Sequence, residues 1–265
     1  LVTGAVLPAF NHPLKLAGEL AMLDALCDGR LDIGFARAFL PHEFHRFGVA
    51  LDESRARFTE GVEQVRMLLE QRVATSHGRF HSFDNVTSLP RPTQQPRPPF
   101  YLAALATRET FEQAGAAGHG VMAIPMAGGA MRELLQAYRT ARAAAGHPGP
   151  GSVMLAFHMF CHESQAEAER LARAPLERYL RSLVDAASDW QSGTASADYP
   201  GYGAVIDALS RETFETQLEK CAAWVGTPER ILETVRRYAE EVGGFDIASL
   251  QVNFNDLPFD AAKAS

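Results

Sequence analysis

Two short runs in this chain combine residue types that recognise anions. The first is Asp28-Gly-Arg-Leu-Asp-Ile-Gly-Phe-Ala-Arg-Ala38, a polar turn entering an apolar strand whose far end carries Arg37. A guanidinium is permanently charged and presents a fork of donors. At the carboxyl end of a parallel strand, where α/β proteins hold their ligands, it suits a phosphate. The alternative for Arg37 is a surface ion pair. The second run is Tyr101-Leu-Ala-Ala-Leu-Ala-Thr-Arg-Glu-Thr-Phe111. Its small residues, Ala104 and Ala106, let a flat ring or a phosphate approach the backbone. Thr107 and Thr110 fall in the first turn of the next helix, beside N–H groups with no partner inside that helix. Alone, Thr107 reads as an N-cap. Paired with Arg37 from a neighbouring strand, the hydroxyls read as a phosphate cradle.

Other chemistries lack their signatures. No Gly-x-Gly-x-x-Gly run, Walker loop or Gly-x-Ser-x-Gly elbow is present. His42 and His45 in Pro41-His-Glu-Phe-His do not have the spacing of a His-Glu-x-x-His helix and read as loop histidines, so no metal site is expected. Cys27, Cys161 and Cys221 are odd in number and in no metal-ligand spacing, which points to a reducing, cytoplasmic setting without a disulfide framework.

The elements that must position these residues alternate along the chain. Expected strands are Leu1 to Leu7, Leu31 to Ala36, Phe100 to Leu105, Val121 to Pro125, Val153 to Cys161 and Ile247 to Phe254. They lack strict alternation, as strands covered on both faces do. Helical periodicity covers Pro13 to Cys27, with Leu16, Leu20, Leu23 and Leu26 as its stripe, and Ser54 to Gln71, with Phe58, Val62, Val65 and Leu69. It recurs over Arg108 to Ala117, Gly129 to Ala145, Gln165 to Asp185, Ser210 to Ala223 and Pro228 to Val242. Thr227 caps the last of these, and Gly243-Gly244 ends it. Pro90 to Pro99 holds five prolines and reads as an extended connector. Ser188 to Gly203 is small and polar with Trp190, Tyr199 and Tyr202 embedded; a long loop of this kind suits a lid or binding loop. The βαβα order predicts a parallel α/β architecture. A closed barrel needs eight strand-helix units in about 250 residues, and only six strands are legible. Either the sheet is open, or two units precede residue 1.

The 265 residues carry 25 Lys and Arg against 32 Asp and Glu, a net charge of −7. That balance argues against nucleic-acid or anionic-membrane partners, which need a concentrated basic face. Hydrophobic residues at 46% allow a full core, and no apolar run reaches the roughly 18 residues of a membrane span.

Read in order, several pieces resemble the bacterial luciferase-like flavin-dependent monooxygenases, near the luciferase alpha-subunit pattern. They are Thr3-Gly-Ala-Val-Leu-Pro, His12-Pro13, Leu23-Asp-Ala-Leu-Cys-Asp-Gly-Arg-Leu-Asp-Ile-Gly34, Arg37, Glu43-Phe44, Phe47-Gly48, Glu53-Ser54 and Phe58. The proline connector, Tyr101-Leu-Ala-Ala and Leu250-Gln-Val-Asn-Phe254 complete the series. The resemblance implies a (β/α)8 TIM barrel over the single domain 1–265, lacking its first two strand-helix units, with reduced FMN at the carboxyl ends of the strands. It also implies oxygenation of a small organic substrate with O₂, a separate flavin reductase and a homodimer. Arg37 matches the arginine on the FMN phosphate, and Thr107 and Thr110 match the hydroxyls beside it. Gly4-Ala5 matches a position where the family often has a non-prolyl cis peptide under the isoalloxazine ring. Ala36 stands where luciferase has a reactive cysteine, and Ala106 where it has a glutamate. The family's catalytic histidine lies on an early strand that this sequence does not contain, so no general base is named. A reductase using F420, a non-catalytic flavin carrier, and an unrelated barrel acting on a phosphorylated metabolite remain the alternatives. Residues 188–203 match the family's mobile segment, and their aromatic side chains are expected to close over an apolar substrate.

Overall fold

Pro13 has the backbone geometry of a helical first turn, and the preceding His12 ring accepts the Leu14 N–H at 3.3 Å; together they start α1 (Pro13–Leu26). The computed structural model describes residues 1–265 and falls into two units, Leu1–Ala103 with Thr194–Pro200, and Ala104–Gly193 with Gly201–Ser265.

In the first unit, α1 is followed by β1 (Ile33–Phe35), α2 (Pro41–Arg46), α3 (Ser54–Glu70), the antiparallel hairpin β2 (Ala74–His77) and β3 (Ser82–Val86), and β4 (Phe100–Ala104). β1 and β4 pair in parallel, Phe35 opposite Leu102. The expected first strand is reduced to two bridges, Val2 to Asp32 and Val6 to Phe35, both parallel. Its middle leaves the ladder because the Thr3 hydroxyl takes the place of a backbone group, donating to Gly34 O at 3.0 Å and accepting Gly34 N–H at 2.9 Å. α3 buries the expected Phe58, Val62, Val65 and Leu69. α1 is a correction: it buries Pro13, Leu16, Ala17, Leu20, Ala21 and Asp24, whereas Leu26 is 78% exposed. The face that packs inward follows its small residues, which let the helix lie close. Buried Asp24 is satisfied by the proline connector, accepting Gln94 N–H at 2.9 Å and its side-chain amide at 2.8 Å.

The second unit contains α4 (Arg108–Ala116), β5 (Gly120–Ala123), α5 (Gly128–Ala144), β6 (Val153–Cys161), α6 (Gln165–Ala186), α7 (Tyr202–Leu209), α8 (Phe214–Glu219), β7 (Ala223–Gly226), α9 (Pro228–Val242), β8 (Ile247–Gln251) and α10 (Phe259–Ala264). β6 pairs in parallel with β5, β7 and β8. Phe160 on β6, Ala168, Ala172 and Leu176 on α6, Val225 on β7 and Phe254 form one buried cluster, while Phe157 stacks on Trp224 at 4.0 Å between ring centroids. The expected helix from Ser210 to Ala223 divides into α8 and the start of β7, where Cys221 has φ +54 and turns the chain. Thr227 caps α9 as expected, accepting Arg230 N–H, and Gly243 ends it with φ +76. No helix is long and apolar enough to cross a membrane.

Candidate functional site

β1 ends at Phe35, and Arg37 follows it beyond the carboxyl end. Its guanidinium carbon lies 4.6 Å from the centroid of the Tyr199 ring, and Nη1 donates to the Asp198 carbonyl at 3.0 Å. No carboxylate oxygen lies within ion-pair distance of Arg37; the Asp198 carboxylate is taken by Arg55, whose N–H donates to it at 2.8 Å. The surface ion pair weighed for Arg37 is therefore not what the structure contains. The edge formed by Nε and Nη2 keeps its donors and its charge, which is the edge a phosphate uses in a two-point contact.

Gly4 and Ala5 are joined by a cis peptide bond. They lie beside β1 in the stretch where Thr3 has displaced the ladder, between Thr3 N–H on Asp32 O and Val6 N–H on Gly34 O. A side chain built on Gly4 would meet nothing within 4 Å, so the backbone here is open to a flat group. Gly4 and Ala5 thus run alongside β1, whose carboxyl end leads two residues on to Arg37.

Ala104 closes β4, and Ala106 and Thr107 lead from it into α4. Thr107 is the N-cap residue by position, yet its hydroxyl makes no capping bond. A simple capping role is therefore not filled in this structure. Neither that hydroxyl nor the Thr110 hydroxyl has a protein partner, and the leading N–H groups of α4 lie beside them. Two free hydroxyls, a helix start and small residues at a strand end fit a phosphate ester bearing a planar ring. The open edge of Arg37 fits the same chemistry.

Sequence reasoning missed the partners of Arg37. Asp198 and Tyr199 are 161 and 162 residues away, and no spacing announces them. Tyr199 is 2% exposed, packed on Arg37 and hydrogen-bonded to Ser54 and Ala38, so it does not stand free to close over a substrate as expected. Trp190 is buried as well, in a short 3-10 turn (Ser188–Trp190), 5.3 Å from the Tyr202 ring. Phe44 is buried, while Phe47 is exposed and stacks on Phe10 at 4.5 Å. Gln251 and Asn253 are exposed beyond the middle of β8.

The luciferase-like monooxygenase family matches residues 1–244. The chain belongs to this family. A crystal structure of the monooxygenase RslO1 from Streptomyces bottropensis is 39% identical, with a TM-score of 0.85 over 99% of this chain and 74% of that one. The oxygenase component of a flavin-dependent trigonelline monooxygenase from Acinetobacter baylyi is 42% identical over 106 residues, 39% of this chain and 29% of the relative. At 18% identity, the oxygenating constituent of 3,6-diketocamphane monooxygenase from Pseudomonas putida, in complex with FMN, shares the fold, with a TM-score of 0.77 over 96% of this chain and 72% of that one. The chain spans less than a third of the length of the first curated relatives it matches. A luciferase-like α/β fold of mostly parallel strands and helices is thus shared with family members named as monooxygenases.

Proposed function

We propose that the protein is a monooxygenase that uses reduced FMN, delivered by a separate reductase, and O₂ to oxygenate a small organic substrate. The observation that carries this reading is the charged, uncommitted Nε/Nη2 edge of Arg37 at the end of β1, in a chain of the luciferase-like monooxygenase family. When bound, reduced FMN supplies the electrons that activate O₂. The chain's own task is to hold and shield. Arg37 takes the phosphate with two donors, and the Thr107 and Thr110 hydroxyls at the start of α4 offer further hydrogen bonds to an anionic ligand. The Gly4-Ala5 backbone, Ala104 and Ala106 present small surfaces to the ring system. Residues 188–203 act as the lid that keeps water from the reacting atoms. The second copy in a homodimer is carried by the outer face of α1.

Anaerobic titration with reduced FMN and with reduced F420, followed by O₂ uptake in the presence of candidate substrates, tests the reading. Saturable binding of FMN and substrate-dependent O₂ consumption are expected. Preference for F420 would replace it with a reductase of the same fold. Stoichiometric flavin binding without substrate-dependent uptake would leave a carrier, and no flavin binding would return the anion site to a phosphorylated metabolite.

A further inference from the structure

Residues 194–200 reach unit one by anchors that converge on Arg37. α3 begins without a capping side chain of its own, since its N-cap residue Glu53 makes no such bond. The missing acceptor comes from Asp198, whose carboxylate receives the Arg55 N–H at 2.8 Å. The Tyr199 hydroxyl donates to Ala38 O and is bonded to the Ser54 hydroxyl, and Ser196 donates to Asp52. Between these fixed points, the Asp198 carbonyl and the Tyr199 ring hold two features of one guanidinium, Nη1 and a π face. An arginine side chain ordinarily samples many rotamers, and ordering it on binding costs free energy. Here the ordering is done before any ligand arrives, and the Nε/Nη2 edge keeps its donors.

We infer that Asp198 and Tyr199 are positioning residues that preset Arg37 for the flavin phosphate, so that anion binding and the seating of residues 194–200 reinforce each other. This rests on the reading of Arg37 as the phosphate residue. Coupling of this kind is reciprocal: what tightens the phosphate contact must also tighten the segment. It concerns only the phosphate end of the ligand, and that gives the test its contrast.

FMN and riboflavin differ by that phosphate, so their dissociation constants are compared for the unaltered protein, Tyr199→Leu and Tyr199→Phe by fluorescence titration. The unaltered chain is expected to prefer FMN. Tyr199→Leu, which removes the ring from Arg37, is expected to weaken FMN about tenfold and riboflavin less than about twofold. Tyr199→Phe keeps the ring and retains most of the preference. Proteinase K cleavage within residues 194–200 should slow with FMN but not with riboflavin, a readout that needs no variant to fold. An unaltered protein that prefers FMN, with the same preference in Tyr199→Leu or equal protection by both flavins, overturns the positioning role and leaves the flavin reading intact. An unaltered protein that binds FMN no better than riboflavin overturns both.

Discussion

Arg37 is the residue on which the functional reading turns, and its contribution is measurable. Replacing it with Ala removes a charge-assisted, two-donor contact and is expected to weaken FMN binding by about 1.5 to 3 kcal/mol. If Thr107 serves the same phosphate, Arg37→Ala and Thr107→Ala will be non-additive in a double-mutant cycle; additive losses would assign the two side chains to different parts of the ligand. Arg37 could be singled out in the sequence because it follows an apolar strand at its carboxyl end, although position alone left a surface ion pair equally open. Its grip by Asp198 and Tyr199 could not, because a contact across 161 residues leaves no local pattern. His158 was also invisible as a special residue. Its Nε2 is buried without a hydrogen-bond partner, its ring packs against Tyr179 at 4.5 Å, and burial pushes its pKa down to about 4. The unfolded chain therefore takes up the proton first as pH falls through 6.5, so stability is lost between 6.5 and 4 and levels off below. His158→Phe should flatten that loss, by on the order of 2 kcal/mol between pH 7 and 5, in urea midpoints. His81, also held below its usual value by burial, will leave part of the slope in place. An unchanged difference between the two pH values would show that His158 is protonated as easily folded as unfolded.

Elements were legible where their pattern was long. The bounds of β6 and α9 agree with the sequence reading, because a nine-residue apolar strand and a capped helix closed by two glycines carry strong signals. The hairpin of β2 and β3 was missed because its residues are polar. Its tip is held by the Glu60 carboxylate, which accepts the N–H groups of Arg79, Phe80 and His81. β7 was missed, its first residue Ala223 read as the end of a helix, because four buried residues are too few to show a period. The packing of α4 on α5 shows what a single glycine does at this scale. A Cβ on Gly115 would lie 2.2 Å from the Tyr138 carbonyl oxygen and 3.0 Å from Arg142 N, both backbone atoms that cannot swing aside. Gly115→Ala is expected to cost about 1 to 3 kcal/mol from overpacking, more than the roughly 1 kcal/mol that alanine gains in a helix. Gly129→Ala, whose Cβ would meet nothing within 4 Å, serves as the control and should leave the thermal midpoint unchanged or raised. A Gly115→Ala midpoint equal to that of the control would mean the two helices separate without cost.

For the molecule as a whole, the alternation of strands and helices announced a parallel α/β protein, and the pairs β1–β4, β5–β6, β6–β7 and β6–β8 are all parallel. The periodicity of α1 placed Leu16 and Leu20 correctly on the buried face but extended it to Leu26, which is exposed, and that departure bears on assembly. Its small and buried residues turn inward, leaving Met22 at 49% and Leu26 at 78% exposure, beside Leu89 at 70%, whose carbonyl lies against Gly18. The outer side carries the Lys15–Glu19 ion pair in its first half and apolar Met22 and Leu26 in its second, and an exposed apolar patch of this kind marks a contact surface. The occupant expected here is a second copy of the chain, since a twofold pairing of one helix face buries the same residues twice and can reach the roughly 800 Å² per partner of a stable interface. Sedimentation of the unaltered protein at micromolar concentration should give a dimer, and Met22→Glu with Leu26→Glu should give a monomer, because each copy would then bring two new carboxylates into an apolar contact. The unaltered chain sedimenting as a monomer would remove the homodimer. A dimer that survives both substitutions would move the interface to another surface of the molecule.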